Sequence, residues 1–175
     1  TDASTAAKTE TVAVTYIDEA NVVAPSDSDS ATNTLAENVA NDATVGVTAV
    51  ATDADGTTNV ISYTVTAQSC SSVFAVGSST GIVTVADNTN IDRETATTCT
   101  VEVTATSTDA STAATTFTVA VTDVNEVPTL SSAQADVSTA EDAAFTLDIS
   151  GNFADVDVGD SLAYSATGMP STMAM

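Results

Sequence analysis

Residues 108–126 read TDASTAATTFTVAVTDVNE, and the middle of this stretch decides the fold class. Phe117, Val119 and Val121 alternate with Thr and Ala, and this two-residue period is typical of a strand that buries one face. Thr and Val recur throughout the chain, and both favour strands. We therefore predict an all-β fold. The other positions with the same alternation are Val45, Val47 and Ala49, followed by Val101, Val103 and Ala105.

The same stretch also occurs at the start of the chain. Residues 1–19 read TDASTAAKTETVAVTYIDE and match residues 108–126 at a fixed offset of 107. A period of that length corresponds to a whole domain rather than to one turn of a solenoid. Between residues 33 and 123 there is room for about seven short strands, the number expected for an immunoglobulin-like Greek-key β-sandwich.

A second internal match indicates three tandem domains. Ala36-Glu37-Asn38 precedes ATDADG (51–56), and Ala140-Glu141-Asp142 precedes FADVDVGD (153–160). We predict that residues 25–128 form one complete domain and that residues 1–24 hold the last strand and the linker of a preceding domain. Residues 129–175 are expected to form the N-terminal part of a following domain, so that the chain is a segment of a longer tandem array.

The charge balance excludes several classes of partner. The chain contains 24 Asp and Glu residues but only Lys8 and Arg93 as cations, and it has no His, so its formal net charge is −22. Nucleic acids and anionic membrane surfaces both require Lys and Arg, so neither is an expected partner. No apolar run reaches the ~20 residues of a membrane span. The remaining alternatives are a solvated acidic surface and a set of carboxylates that bind cations such as calcium.

The positions of the acids favour cation binding for many of them. The acids fall where predicted strands end and where domains join, and such loops gather at the two poles of an antiparallel sandwich. Asp53 and Asp55 then face the preceding domain. Calcium takes six to eight oxygen ligands, which must come from several segments of the chain. The acidic and amide residues that face the following domain are Glu37, Asp92, Glu94, Asp123, Asn125 and Glu126.

Four motifs in order resemble those of the cadherin repeat. They are LAEN (35–38), DAD (53–55), IDRE (91–94) and DVNEVP (123–128). The resemblance implies a cadherin-like sandwich that binds calcium between consecutive domains. At the joint with the following domain, the implied ligands are Glu37, Asp92, Glu94, Asp123, Asn125 and Glu126, with Asp155 and Asp157 from that domain. At the joint with the preceding domain, they are Asp53, Asp55, Asp109 and Asn59, facing Asp18 and Glu19.

Three departures from the family pattern change what we expect. Glu126 stands where the family usually has Asp, although its longer side chain still reaches the site. In the first linker, Tyr16 and Asn21 stand where the second linker has Asp123 and Pro128, so we expect the joint with the preceding domain to bind less calcium or none. The FADVDVGD segment resembles the dystroglycan-type cadherin-like domain of bacterial surface proteins.

Cys70 and Cys99 are the only two cysteines. Cys70 follows ISYTVTA (61–67) and Cys99 begins CTVEVTA (99–105), and the cadherin resemblance implies that these two strands pair antiparallel. The end of one strand then meets the start of the other, which implies a disulfide and an oxidising exterior. The alternative is a pair of small buried thiols.

Catalysis has little support in this sequence. There is no His for a triad or a proton relay, and neither cysteine has a neighbouring base. The DADG stretch lacks the Glu that closes an EF-hand loop, because its twelfth position is Thr64. The leading hypothesis is an extracellular stalk or adhesin segment at a bacterial or archaeal cell surface, stiffened by calcium. The alternatives are a module that binds polysaccharide or another cadherin-like chain, and a subunit of an extracellular filament.

Overall fold

The computed structural model describes residues 1, 5–14, 20–55 and 59–168. Eight strands lie between residues 26 and 122, and two short strands follow them. The last strand of the eight is the FTVAV stretch that predicted the fold class. The strands are β1 (Ser26–Asp27), β2 (Thr34–Ala36), β3 (Thr44–Val50), β4 (Ile61–Gln68), β5 (Phe74–Val76), β6 (Ile82–Val85), β7 (Thr98–Ser107), β8 (Thr112–Thr122), β9 (Thr129–Leu130) and β10 (Phe153–Ala154).

Two four-stranded sheets form the sandwich, and the all-β prediction is confirmed. Their strand orders are β1-β3-β6-β5 and β2-β8-β7-β4. Seven strands, β2 to β8, lie between residues 33 and 123, as predicted, and β1 precedes them because the first strand divides between the sheets. β1 pairs antiparallel with β3, whereas β2 pairs parallel with β8. At the division, Asp27 Oδ1 accepts hydrogen bonds from the amides of Asp29 and Thr48, so a side chain takes over from the backbone ladder.

The core between the sheets consists mainly of valine. All nine positions predicted from the alternation are buried. Val22, in the range assigned to the first linker, also belongs to this core. Its amide donates to Ser111 Oγ at 2.9 Å, and the next amide, that of Val23, donates to the carbonyl of Thr52 at 2.8 Å. The incoming chain is therefore fixed to the sandwich several residues before β1 begins.

The turn between β5 and β6 requires glycine at one position. Gly81 has φ +69°, and a Cβ atom there would lie 2.0 Å from the carbonyl oxygen of Ala49. Its own carbonyl accepts a hydrogen bond from the amide of Ala49 at 2.9 Å. The backbones of β3 and this turn are thus too close for any side chain.

We expect Gly81→Ala to lower the free energy of unfolding by about 2–3 kcal/mol, because it combines a left-handed backbone with a clash against backbone. Gly77→Ala is the matched control. Its added Cβ would meet the side-chain oxygen of Thr80, which can rotate away. Chemical denaturation of both variants measures the difference, and equal losses would show that crowding at Gly81 has no special role.

Cys70 and Cys99 form the predicted disulfide, with their Cα atoms 5.5 Å apart. β4 pairs antiparallel with β7, and Gln68 lies opposite Val101. The pairing continues one step further, because the amide of Ser69 donates to the carbonyl of Thr100 at 3.0 Å. This places Cys70 beside Cys99, which is buried in the core. The bridge therefore joins an edge strand to a central strand of the same sheet.

The segments on either side of the sandwich have little regular structure. Residues 5–14, which lie in the range 1–24 predicted to hold the last strand and the linker of a preceding domain, form no strand, and no other described segment pairs with them. After the sandwich, β9 and β10 pair antiparallel, with Phe153 opposite Leu130. The division of the chain into three domains stays a prediction. Within the described ranges, no helix has the length and apolar character needed to cross a membrane.

Candidate metal centre

Strand direction explains why acids from distant parts of the sequence meet at one pole. β2 and β8 run parallel, with Ala36 opposite Thr122, so Glu37 and Asp123 leave their strands at the same edge. β7 is antiparallel to β8, and its first residue lies opposite Ala120. The loop before β7, which carries Glu94, therefore reaches that edge as well. We call this end of the sandwich the C-terminal pole.

Four carboxylates converge at the C-terminal pole. Each contributes one oxygen to a group in which all the atoms lie within 4.8 Å of one another. The four residues come from three segments of the chain, namely the end of β2, the loop before β7 and the linker after β8. We refer to them as the C-terminal cluster: Glu37, Glu94, Asp123 and Glu126.

Glu37 is the buried member of the C-terminal cluster, with 9% of its surface exposed. Its Oε1 accepts a hydrogen bond of 2.6 Å from the amide of Val124, and its Oε2 accepts one of 2.8 Å from the amide of Arg93. One carboxylate therefore holds the linker and the loop before β7 together. Both oxygens keep further lone pairs, so these bonds leave room for a cation.

The linker also contacts the segment that follows. The amide of Glu126 donates to Asp157 Oδ2 at 2.9 Å. Asp155, Asp157 and Asp160 form a second acidic group with oxygens within 4.8 Å of one another, which we call the distal cluster. Asp160 was not among the predicted ligands. The signal for it is the GD pair that ends FADVDVGD, because a tight turn brings a third acid back to the first two.

Crowding of like charges changes the acid strength of the C-terminal cluster. Partial burial raises the pKa of Glu94, Asp123 and Glu126 above the ordinary values of Glu and Asp. Repulsion from neighbouring carboxylates, with Glu37 acting on all three, raises these pKa values further. At Asp123, the positive charge of Arg93 offsets part of this rise in pKa. The raised pKa values mean that too little positive charge surrounds these carboxylates. A bound cation would supply that charge.

In the absence of calcium, we expect thermal stability to rise as the pH falls from neutral toward the ordinary pKa values of Asp and Glu, about 4. At these raised pKa values, the folded chain holds protons on Glu94, Asp123 and Glu126 at a pH where the unfolded chain has lost them. Protons therefore stabilise the folded state, and this gain is lost as the pH rises through the raised values. Asp92, with its lowered pKa, acts in the opposite direction only at more acidic pH.

Thermal melting in excess chelator measures this pH dependence. The control is the triple variant Glu94→Gln, Asp123→Asn and Glu126→Gln, which removes the three titrating groups. Its melting temperature should change less over the same range. If the triple variant and the unchanged protein respond equally, the effect comes from the overall charge of the chain.

Two predicted ligands have other partners in the structure. Asp92 Oδ1 accepts from the amides of Glu94 and Thr95, and its Oδ2 accepts from the Thr95 hydroxyl at 2.8 Å. The hydrogen bonds to Thr95 lower the pKa of Asp92. Asp92 lines the same cavity as Glu37 and Glu94, but it lies outside the group of four and shapes the turn that presents Glu94. Asn125 is exposed, and its side-chain amide donates to the carbonyl of Glu126.

A third acidic group lies at the opposite, N-terminal pole. Asp53 and Asp55 follow β3, and Asp109 lies in the turn between β7 and β8, with oxygens within 4.8 Å. The amide of Asp55 donates to Asp53 Oδ1 at 3.1 Å, and the amide of Asp157 makes the same bond to Asp155 at the same distance. Asp55 Oδ1 accepts from the amide of Ala20 at 3.2 Å. In both D-x-D pairs, the second aspartate thus receives a linker amide.

The other residues predicted for the N-terminal joint are Asp18, Glu19 and Asn59. Asp18 and Glu19, together with Tyr16, lie outside the described residues. Asn59 is described and its side chain is exposed. Ligation by these residues stays a prediction.

The donor set fits a calcium ion. Glu126 Oε2, Asp157 Oδ1 and Asp53 Oδ2 are buried, and none of the three has a hydrogen-bond partner among the described residues. A buried carboxylate oxygen without a partner is costly in free energy, and a cation would remove that cost. Calcium prefers carboxylate and carbonyl oxygens and accepts a variable coordination geometry. Loops that present several carboxylates, as these do, supply ligands of that kind.

A two-sheet sandwich with a divided first strand and acidic groups at both poles defines the class of protein as an immunoglobulin-like β-sandwich domain with candidate cation sites at its ends. A model of the cadherin domain matches residues 27–122, which are more than half of the chain. The chain belongs to the cadherin-domain family.

Solved structures of cadherins have the same fold. The chain is 28% identical to protocadherin gamma B2 extracellular cadherin domains 1–5, with a TM-score of 0.53, and the match covers 66% of this chain and 22% of that one. Mouse cadherin-23 EC22–24 is 23% identical with a TM-score of 0.50, covering 67% of this chain and 38% of that one. The chain thus spans well under half the length of these structures. A comparison with curated proteins gave no match.

Proposed function

We propose that this chain is a calcium-binding segment of an extracellular cadherin-like array, acting as a rigid stalk or adhesin segment at a bacterial or archaeal cell surface. The observation that carries the proposal is the C-terminal cluster. Its four carboxylates come from three segments of the chain, one of which is the linker. In that linker, the amide of Glu126 donates a hydrogen bond to Asp157 in the following segment. A cation at this position contacts the domain, the linker and the following segment at once.

The proposed mechanism is electrostatic. Without a cation, the carboxylates of the C-terminal and distal clusters repel one another, and the joint between the two segments opens. Calcium supplies the missing positive charge and binds oxygens on both sides, so the joint is held in one geometry. Glu37, Glu94, Asp123 and Glu126 supply ligands from the domain and its linker, and Asp155 and Asp157 supply them from the following segment. Asp92 and Asn125 support the arrangement of the loops.

The acidic group at the N-terminal pole, which we call the N-terminal cluster, carries a weaker form of the same proposal. Asp53, Asp55 and Asp109 offer three carboxylates, but Tyr16 and Asn21 stand where the other linker has Asp123 and Pro128. We propose that this joint binds calcium more weakly than the C-terminal joint. The structural role proposed here requires no catalytic group.

Calorimetry and X-ray scattering together test the proposal. The protein used should hold complete domains on both sides of the C-terminal joint. Calcium should bind in the micromolar to millimolar range and increase the maximum dimension of the particle. Magnesium at the same concentration is the control, because it demands a stricter octahedral geometry. If millimolar calcium neither binds nor lengthens the particle, the proposal is wrong.

A further inference from the structure

Glu37 has a second property besides its place among the candidate ligands. Its two oxygens accept hydrogen bonds from two backbone amides that lie 31 residues apart in sequence, those of Arg93 and Val124. Both bonds involve a charged acceptor and are short, which places them among the stronger hydrogen bonds of proteins. Neither bond depends on an ion.

The position of Glu37 is itself fixed by the sheet. Its amide donates to the carbonyl of Thr122 at 3.2 Å, extending the parallel pairing of β2 with β8 by one step. The preceding Leu35 is buried in the core, opposite Val121. Ile91, at the start of the loop before β7, is buried as well. The carboxylate therefore reaches from a rigid base to the two segments that carry Glu94 and Asp123.

The contact between Glu126 and Asp157, further along the linker, is not supported by the strands of the sandwich. The amide of Glu126 is held by Asp157, whose segment is joined to the chain after the linker by the two-residue pairing of β9 with β10 and by hydrogen bonds from the amides of Ser131 and Ser132 to the carbonyl of Asn152. The carboxylates on the two sides of this contact repel each other, and separating them breaks no pairing between the strands of the sandwich. Separating Glu37 from Val124 would disturb the ends of β2 and β8. Opening the contact between Glu126 and Asp157 therefore relieves the repulsion between carboxylates at a lower cost in free energy than opening the contact between Glu37 and Val124.

We infer that Glu37 is a positioning residue that fixes the loop before β7 and the linker as far as Val124 before any ion binds. The calcium-free joint therefore becomes mobile after Val124, from Asn125 onward, where the contact between Glu126 and Asp157 opens. This inference rests on the proposed function for its biological meaning, but its geometry needs no calcium. Glu37 thus holds Glu94 and Asp123 at a fixed separation. The ion then has to order only the following segment, which carries Asp155 and Asp157.

Amide hydrogen exchange and ¹⁵N relaxation of this chain in excess chelator test the inference. In the unchanged protein, the amides of Arg93 and Val124 should be protected, and the amide of Glu126 should exchange faster. Glu37→Ala should speed exchange at Arg93 and Val124 by roughly tenfold to a hundredfold. The onset of backbone mobility should move from Asn125 back to Asp123. Glu37→Gln, which keeps one acceptor oxygen, should restore protection at one of the two amides.

Asp157→Asn is the matched control, because it alters the Glu126 contact and should leave the Val124 amide unchanged. The core amides of Val101 and Val119 report whether each variant is folded. The inference is overturned if Val124 exchanges equally fast in the unchanged protein and in both Glu37 variants, or if mobility begins at Thr122 in all of them. If Val124 is protected through Glu37 but calcium does not bind, the inference stands and the proposed function fails. If calcium binds and Val124 is unprotected, the proposed function stands and the inference fails.

Discussion

The double change Glu94→Gln and Asp123→Asn should lower the calcium affinity of the C-terminal joint by about a hundredfold or more, because calcium affinity depends strongly on the number of charged ligands. The two side chains keep nearly the same size, so the loops that carry them are retained. Both carboxylates belong to the cluster whose oxygens lie within 4.8 Å of one another. Calorimetric titration of calcium measures the loss directly.

A control with the same change in net charge separates local ligation from overall attraction. Asp136→Asn together with Glu141→Gln removes two negative charges at exposed positions that belong to none of the three clusters. We expect this pair to change calcium affinity by less than about threefold, since exposed charges are screened by salt. If both double variants lose affinity equally, calcium binds by general attraction to an acidic chain.

Removing the disulfide by Cys70→Ala and Cys99→Ala should lower the free energy of unfolding by about 3–4 kcal/mol. The bridge closes a loop with a sequence separation of 29 residues, and without it the unfolded chain gains conformational freedom. This is a large share of the stability of a domain of this size. Urea denaturation at a fixed calcium concentration measures the change.

Reduction of the unchanged protein provides the control for the disulfide prediction. Cys99 is buried, so its replacement by Ala also alters packing. A reducing agent breaks the bridge without removing the sulfur atoms, and it should reproduce most of the loss. If reduction costs less than about 1 kcal/mol while the double variant costs about 3–4, the effect comes from packing.

Much of the sandwich follows from one regularity in the sequence. Phe117, Val119 and Val121 are buried because a strand with a two-residue period sends alternate side chains to opposite faces. Val22 could not be predicted in the same way. It stands in no alternating run, and its burial depends on where the turn at Ser111 holds the incoming chain.

The grouping of the acids was predictable for a similar reason. Strand ends determine which loops share a pole, so the positions of Glu37, Glu94 and Asp123 predicted that they would meet. Individual hydrogen bonds were not predictable. Asp92 carries the same motif signal as Glu94, yet its oxygens bind Thr95 within its own turn. Such a choice depends on side-chain geometry, which spacing in the sequence does not determine.

The disulfide also has a mechanical consequence for a protein that bears tension between its two ends. When a domain is pulled open, each released residue lengthens the chain by roughly 3.3–3.6 Å. The bridge between Cys70 and Cys99 spans 29 residues and prevents them from extending. A domain that unfolds under tension therefore extends by roughly 100 Å less than the same domain would without the disulfide. The same bond that stabilises the domain at rest thus limits how far the array can stretch when a domain unfolds.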